Sequence, residues 1–509
     1  MNFRRRRRRG PGSLLLAVLL GVLLGGGAKL WYDRTVSTIS GTLVDATTQQ
    51  PLANAEVRWQ HLSTTTDAEG RFTLIGVDKE LTDVPLVLGG GDYETRRLAV
   101  ADAAAVVSLQ PDTVYGVITD RDRRPIPRAR VSAGGATTFA GEDGAFRMDG
   151  IAKNPALRVV APGYKTVNVQ PGSRRHVQVT LESFTPKGIW IPFGALHTAE
   201  VREGWLKHVD RLQLNTVVLD VMSDRGQVAP AVATDLTRQA GSLLEGGEDL
   251  AAIVKDLRAR NIYVIARLVV FKDSPIAAAR PEWAIRVASN GAPYVDCEGQ
   301  RWLDPFEPAV WDYKLQQADR IVELGFNEIQ FDYIRFPSDC IPGPLAYSRP
   351  LTDAAKLDAI EGFLQRAVAR LRPKGVALAV DVFGLVTTED DIGIGQHLET
   401  IGKYVDYVSP MVYPSTWANG AFNLDYPPAE PYRVVKDSVR AAVDRLAGSG
   451  AVVRPWLQAF DDYRTRRLPY RNRQIADQIR ASEEAGAIGW MLWDPFGRYP
   501  LEDPPQLGG

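Results

Sequence analysis

Residues 325–337, GFNEIQFDYIRFP, read as one buried strand that ends in a charged tip and a proline. From Glu328 the run is largely apolar, and a period of two puts Gln330 and Asp332 on one face, with Asp332 towards the C-terminal end. An amphipathic helical stretch from Trp311 to Leu324 precedes it. A short apolar strand after a helix is the unit of a parallel α/β domain.

Working outward from this stretch, the same unit recurs on both sides. Before it come "GIWIPFG" from Gly188, "TVVLDVMSD" from Thr216 and "YVIARLVVF" from Tyr263, with a helical stretch from Leu250 to Arg260. After it come "ALAVDVFG" from Ala377, "YVSPMVYPS" from Tyr407, "VRPWLQAF" from Val453 and "IGWMLWDP" from Ile488. Eight such units beyond Pro186 match the size of a (β/α)8 TIM barrel. An open doubly wound sheet is the alternative, but no Gly-x-Gly-x-x-Gly follows a strand.

Enzymes on this barrel place their chemistry at the C-terminal ends of the strands. Asp220 stands at that end of the second strand, Asp332 of the fourth, Asp381 of the fifth and Asp494 of the eighth, Asp494 sharing a face with Leu492. Carboxylates are seldom buried unpaired, so each could be a structural Asp that caps a helix or pairs with Arg267 or Arg335. Four at one mouth point instead to chemistry. Cleavage of a glycosidic bond needs a carboxylic acid for the leaving oxygen and a carboxylate to attack or to activate water. Asp332 and Asp381, on neighbouring strands, are the first choice of pair, with Asp332 as nucleophile or base and Asp381 as acid. Asp220 and Asp494 would give electrostatic or sugar-binding support. Retention and inversion both stay open.

Aromatic residues crowd the same ends: Trp190, Phe193, Tyr333, Phe383, Tyr413, Trp417, Trp456, Trp493 and Phe496. Some are core; others can stack on pyranose faces. Arg267 and Arg335 could read an anionic substituent such as a uronate, although an ion pair with Asp332 is the commoner use of such an arginine.

The chain of 509 residues is longer than one core supports, and its 45% hydrophobic and 24% charged content is that of a folded globular protein. An internal repeat precedes the barrel. "ISGTLVDATTQQPLANAEVRW…TTTDAEGRFTLIGV" aligns with "VYGVITDRDRRPIPRARVSA…TTFAGEDGAFRMDGI", sharing a Gly-containing strand (Gly41, Gly116), a proline turn (Pro51, Pro125) and an Asp-containing turn (Asp67, Asp143). This is the pattern of two small β-sandwiches. Asp67 and Asp143 read as turn formers rather than metal ligands.

At the N-terminus, Arg4 to Arg9 form a basic run ahead of an apolar stretch from Leu14 to Leu24, the order of an export signal with its basic end in the cytoplasm. Gly26 and Ala28 leave open whether the segment is cleaved or kept as a membrane anchor. The two cysteines, Cys297 and Cys340, could form one disulfide outside the cytoplasm or remain unpaired thiols. The five histidines, His61, His176, His197, His208 and His397, have no metal-ligand spacing, so a metal-dependent hydrolase or deacetylase is disfavoured and no cofactor is expected. No Gly-x-Ser-x-Gly elbow is present.

Ile39 to about Leu181 resembles a pair of carboxypeptidase regulatory-like domains, transthyretin-like sandwiches that serve as spacers or binding units. Gly188 to about Pro500 is similar to a bacterial glycosyl hydrolase domain family of unknown function, through "VVLDVMSDRG", "IARLVVFKD", "GFNEIQFDYIRFP" and "VDVFG". That resemblance implies a TIM barrel acting on polysaccharide and leaves the substrate unspecified. A partial likeness to the chitinase type exists in "GFNEIQFDYI", "MVY" and "GWMLWD", but that family's Asp-x-Asp-x-Glu pattern is Gln330, Asp332 and Ile334 here. The acid Glu is an Ile, so its mechanism is disfavoured.

The expected organisation is a basic N-terminus with a signal or anchor (1–36), β-sandwiches over 37–111 and 112–184, and the barrel over 185–509. The expected partners are a poly- or oligosaccharide and, through the N-terminus, a membrane, with no nucleic acid. The competing function is a non-catalytic carbohydrate-binding or cell-wall scaffold.

Overall fold

The computed structural model describes residues 36–499 except 82, 103–104, 152–155, 172–174, 193–197 and 245–249. The basic run, the apolar stretch to Leu24, Phe193 and His197 lie outside the described residues. Among the described residues no helix is long and apolar enough to cross a membrane.

The chain divides into two compact units, Met1–Gly116 with Arg147–Ala156 and Gln170–Val177, and Val117–Phe146 with Leu157–Val169 and Gln178–Gly509. In the first, Val36–Asp45 pairs with Arg71–Asp78 and Val106–Leu109, while Glu56–Trp59 pairs with Leu62–Thr65 and Leu86–Gly90, and the last of these with Tyr93–Leu98. Alternating residues of both sheets, such as Leu43, Val57, Phe72 and Leu88, make one apolar core.

The internal repeat is visible in equivalent backbone contacts. Gly70 has φ +75°, and a Cβ there would stand 2.4 Å from the Leu43 carbonyl oxygen and 3.2 Å from the Pro51 side chain. Gly144 has φ +74°, and a Cβ there would stand 2.4 Å from the Ile118 carbonyl oxygen and 3.2 Å from Pro125. Only glycine tolerates both the left-handed conformation and the close approach. Asp67 accepts from the backbone N–H groups of Glu69 and Arg71, and Asp143 from that of Ala145, so both are turn residues.

The second unit carries the barrel. Its eight parallel strands are β1 (Lys187–Ile191), β2 (Thr216–Asp220), β3 (Tyr263–Val269), β4 (Glu328–Asp332), β5 (Ala377–Phe383), β6 (Tyr407–Met411), β7 (Val452–Val453 and Trp456–Gln458) and β8 (Trp490–Trp493). Each pairs with its sequence neighbours, and β8 closes on β1. All eight expected strands are present.

Helices such as Pro308–Glu323, Asp353–Leu371 and Pro431–Arg445 lie between strands, and Thr352 caps the second of these by accepting from Ala355 N–H at 3.1 Å. Outward residues such as Val217, Leu219, Ile329, Phe331 and Leu378 join the helices' apolar faces in one continuous core. Inward residues Trp190, Val218, Ile265, Trp456 and Met491 form a separate cluster inside the barrel. The period of two therefore sorts two cores.

The floor of the barrel is charged. Glu328 and Arg454 are both fully buried and bonded through both terminal guanidinium nitrogens, one of them at 3.0 Å, with the Tyr263 hydroxyl donating to Glu328 at 3.1 Å.

The same unit includes a four-stranded sheet, ordered Ala136–Phe139, Arg130–Ala133, Leu157–Val160, Val167–Val169. Arg130, 1% exposed, pairs with Asp406 at 3.1 Å and donates to the Val376 carbonyl at 2.6 Å, just below β5 and β6. Removing one partner of a buried ion pair strands the other. Arg130→Ala is therefore expected to destabilise this unit by about 3 kcal/mol or more, read as a lower urea midpoint in equilibrium unfolding of the full chain.

Candidate active site

Strand register assembles the site from single residues on consecutive strands. Asp220 on β2 is level with Arg267 on β3, and Val269 on β3 with Asp332 on β4. Gln330 lies opposite Ala379 and Phe331 opposite Val380, which brings Asp332 level with Asp381 on β5. Consecutive strands β2 to β5 therefore carry Asp, Arg, Asp and Asp at their C-terminal ends.

Arg267 is 5% exposed and spans two carboxylates. Its Nη1 donates to Asp220 at 2.8 Å, its Nε donates to Asp332 Oδ2 at 2.8 Å, and its Nη2 lies 2.5 Å from the same oxygen. Asp220 also accepts from the Trp190 indole N–H at 2.9 Å. Burial raises the Asp220 carboxyl against the opposing pull of Arg267.

The other oxygen of Asp332 accepts from the backbone N–H of Tyr333 at 2.6 Å. Tyr333 has φ +50°, a left-handed turn uncommon for a bulky residue, immediately after the carboxylate it contacts. Lys272 Nζ stands 4.9 Å above its ring and is paired to Glu298 at 2.6 Å.

Asp381 is 1% exposed, and its carboxyl accepts from the Trp456 indole N–H at 2.8 Å. Burial, and then the charge of Asp332, push its carboxyl well above the usual carboxylate range. Gln396 braces the strand end around it, its Nε2 donating to the Asp381 carbonyl at 3.1 Å and its Oε1 accepting from Phe383 N–H at 2.9 Å.

The cavity above these groups has a volume of about 280 Å³. Asp332, Asp381, Arg267, Tyr333, Arg335, Tyr413, Trp456 and Trp493 all line it, together with Phe383. Asp220 stands behind Arg267 and is not part of the lining. Arg335 does not pair with Asp332. It donates to the Phe336 carbonyl at 3.0 Å and Ser338 Oγ at 3.3 Å, its nearest carboxylate being Asp339 at 3.8 Å. It lies over the rings of Phe383 (4.5 Å), Trp302 (4.9 Å) and Tyr333 (5.6 Å).

Two expected members are placed elsewhere. Met491 and Trp493 take the inward positions of β8, so Leu492 joins the outer core and Asp494 shares its outward side. Asp494 accepts from the backbone N–H groups of Phe496 and Arg498 at 2.8 and 3.0 Å and so stabilises a turn. Trp417, 3% exposed, packs on Phe422 with ring centroids 4.6 Å apart, off the cavity.

The lining also holds Met411 of β6 and three residues that strand patterns do not reveal, Glu298, Asp339 and Gln396. Glu298 follows Cys297, and Asp339 precedes Cys340. These cysteines are joined in a disulfide that ties the loop after β3 to the loop after β4. A cysteine pair spanning two mouth loops is the signal that could have found both acids. The disulfide suggests an extracytoplasmic location. Among the described residues, no group of three or more His, Cys, Asp or Glu is placed to hold a metal ion.

Residues 188–499 match the family model described as "Putative glycosyl hydrolase domain". No curated protein matches the chain. Among solved structures it is similar to a hypothetical protein of Ruminiclostridium thermocellum, with 30% identity, 38% of this chain and 97% of that one covered, and a TM-score of 0.34. It is also similar to the PgaB (BpsB) glycoside hydrolase domain from Bordetella bronchiseptica, with 14% identity, 61% and 94% covered, and a TM-score of 0.43. A third is the α-galactosidase TtGalA from Thermus thermophilus, with 15% identity, 72% and 70% covered, and a TM-score of 0.39.

The raised Asp381 carboxyl has a consequence for stability. A carboxyl whose folded pKa lies above its unfolded value, about 3.9, lends stability that is complete below that value and is lost as pH rises through the folded pKa. Asp381→Asn keeps an oxygen for the Trp456 N–H and never ionises. The variant should match the parent in thermal denaturation near about pH 4 and exceed it increasingly as pH rises above that.

Proposed function

The chain belongs to this glycosyl hydrolase family, and from that premise we propose that it cleaves glycosidic bonds in an extracellular or cell-envelope polysaccharide, with Asp381 as general acid and Asp332 as the carboxylate. The observation that carries this reading is the level pairing of two unlike carboxyls. Asp381 is buried, uncharged by its surroundings and held by a tryptophan N–H, while Asp332 is ion-paired to Arg267 at the same height on the next strand. Two carboxyls driven apart in protonation are what acid and base assignments require.

In the proposed reaction, Asp381 gives its proton to the oxygen of the departing sugar as the bond breaks. Asp332 attacks the anomeric carbon, and Arg267 keeps the carboxylate aligned through its N–H contacts to Oδ2 at 2.5 and 2.8 Å. Neighbouring strands lie about 4.8 Å apart, which favours the short carboxyl separation of about 5 Å used by retaining enzymes over the roughly 6.5 to 9.5 Å of inverting ones. Water would then release the sugar from Asp332, with Asp381 acting as base. Trp456 and Trp493 supply flat faces for the ring, and Arg335, whose ion pair with Asp339 is long at 3.8 Å, is placed to read a polar or acidic substituent.

The β-sandwich repeats fit a spacer or binding role of the carboxypeptidase regulatory-like type, holding the barrel outside the cytoplasm near the producing cell's surface through the N-terminal segment.

Reducing-end release from a polysaccharide panel by the full chain tests the reading, because the buried Arg130–Asp406 pair argues against truncating at the first barrel strand. Asp332→Asn and Asp381→Asn should each lower release by about 10² to 10⁴-fold, and the first-formed anomer, followed by NMR, should match that of the substrate. Binding of a polymer with no release by the parent protein would instead favour the carbohydrate-binding scaffold.

A further inference from the structure

The cavity over Asp332 and Asp381, about 280 Å³, is at the small end of ligand sites, which run from roughly 300 to 1,000 Å³. A polymer seated there must leave across the rim. On one side the rim is Trp493, and Trp493 also lines a second, larger cleft of about 830 Å³. The walls of this cleft are the loop after β7 and the turn after β8.

Two features of the second cleft point to its occupant. The first is exposed aromatic surface. Phe460 and Tyr463 stack at an interplanar angle of 14°, Tyr463 is 52% exposed, and Phe496 on the facing turn is 71% exposed. Flat rings left in water beside a cleft suit the apolar face of a sugar. The second is a pair of guanidiniums, Arg467 and Arg498, that make no ion pair among the described residues. The carboxylates of the cleft are engaged: Asp461 with Arg471, buried Asp462 with the hydroxyls of Ser415 and Tyr426, and Asp494 with two backbone N–H groups. Arg467 makes no ion pair among the described residues, and the Arg498 guanidinium lies 5.3 Å over the Phe496 ring without a carboxylate. A stacking face beside a guanidinium with no ion-pair partner suits a sugar ring that bears a carboxylate.

We infer that this cleft is a subsite for acid-substituted sugar residues, and that the polysaccharide is an anionic chain running from the catalytic cavity over Trp493 onto Tyr463 and Phe496. The inference deepens the glycosidase reading and rests on it for the course of the chain, whereas binding itself needs no turnover.

The test uses the full chain carrying Asp332→Asn, titrated with polygalacturonate and hyaluronate as anionic probes and dextran as a neutral one. At least one anionic polymer should bind, with dextran bound at least tenfold more weakly. Adding Tyr463→Ala and Arg467→Gln, both at exposed positions, should weaken anionic binding at least tenfold with an unchanged circular dichroism spectrum. Arg467→Gln alone should lower the salt dependence of binding. Equal binding of dextran, no binding of either anionic polymer, or indifference to both substitutions would overturn the subsite. If the parent releases no reducing ends yet the substitutions still weaken anionic binding, the subsite stands and the hydrolase reading falls.

Discussion

Arg267 places one positive charge between two carboxylates, Asp220 and Asp332, inside a barrel mouth largely closed to water. Much of the site follows from that sharing. The guanidinium reaches both acids because β2, β3 and β4 are in register, Asp220 level with Arg267 and Asp332 one inward position further along the next strand. Its charge is already divided when Asp381 enters from β5. A third buried carboxylate would find no cation of its own, only an indole N–H, so the neutral form of Asp381 is favoured. The acid and the carboxylate are thus assigned by how far one arginine can reach.

The strands were legible because a barrel strand is short, apolar and period-two, and those features are local. Asp332 and Asp381 were legible for the same reason, each standing at the end of such a run. Asp494 met the same criterion and is placed differently, since Met491, Leu492 and Trp493 are all apolar and nothing local says which of them faces inward. Parity on β8 is set by Met491 and Trp493 filling space beside Trp190 and Trp456, a tertiary fact. Trp417 is a parallel case: its loop turns it onto Phe422 instead of the cavity.

Glu298, Asp339 and Gln396 were not legible because they sit on loops, where position depends on partners distant in sequence. The disulfide holds the first two near one another across 43 residues of sequence, and Gln396 reaches back to the strand that carries Asp381. Closing a loop of that length costs the unfolded chain entropy, so the covalent link also makes the arrangement of the mouth less dependent on weak surface contacts.

The two ends of the barrel handle buried charge in opposite ways, and the contrast separates scaffold from chemistry. At the floor, Glu328 and Arg454 are one to one, fully buried and joined through both terminal guanidinium nitrogens, with Tyr263 adding a hydroxyl, so each charge has its counter-charge. At the mouth, Arg267 serves Asp220 and Asp332 and no cation contacts Asp381, whose carboxyl burial and the charge of Asp332 push well above the usual carboxylate range. A balanced pair resists any change of protonation. An unbalanced group has a proton to give and a carboxylate nearby to receive charge, and that asymmetry suits acid and base work on a glycosidic oxygen. The same interior therefore contains a charge pair that closes the barrel and a charge excess that opens it to reaction.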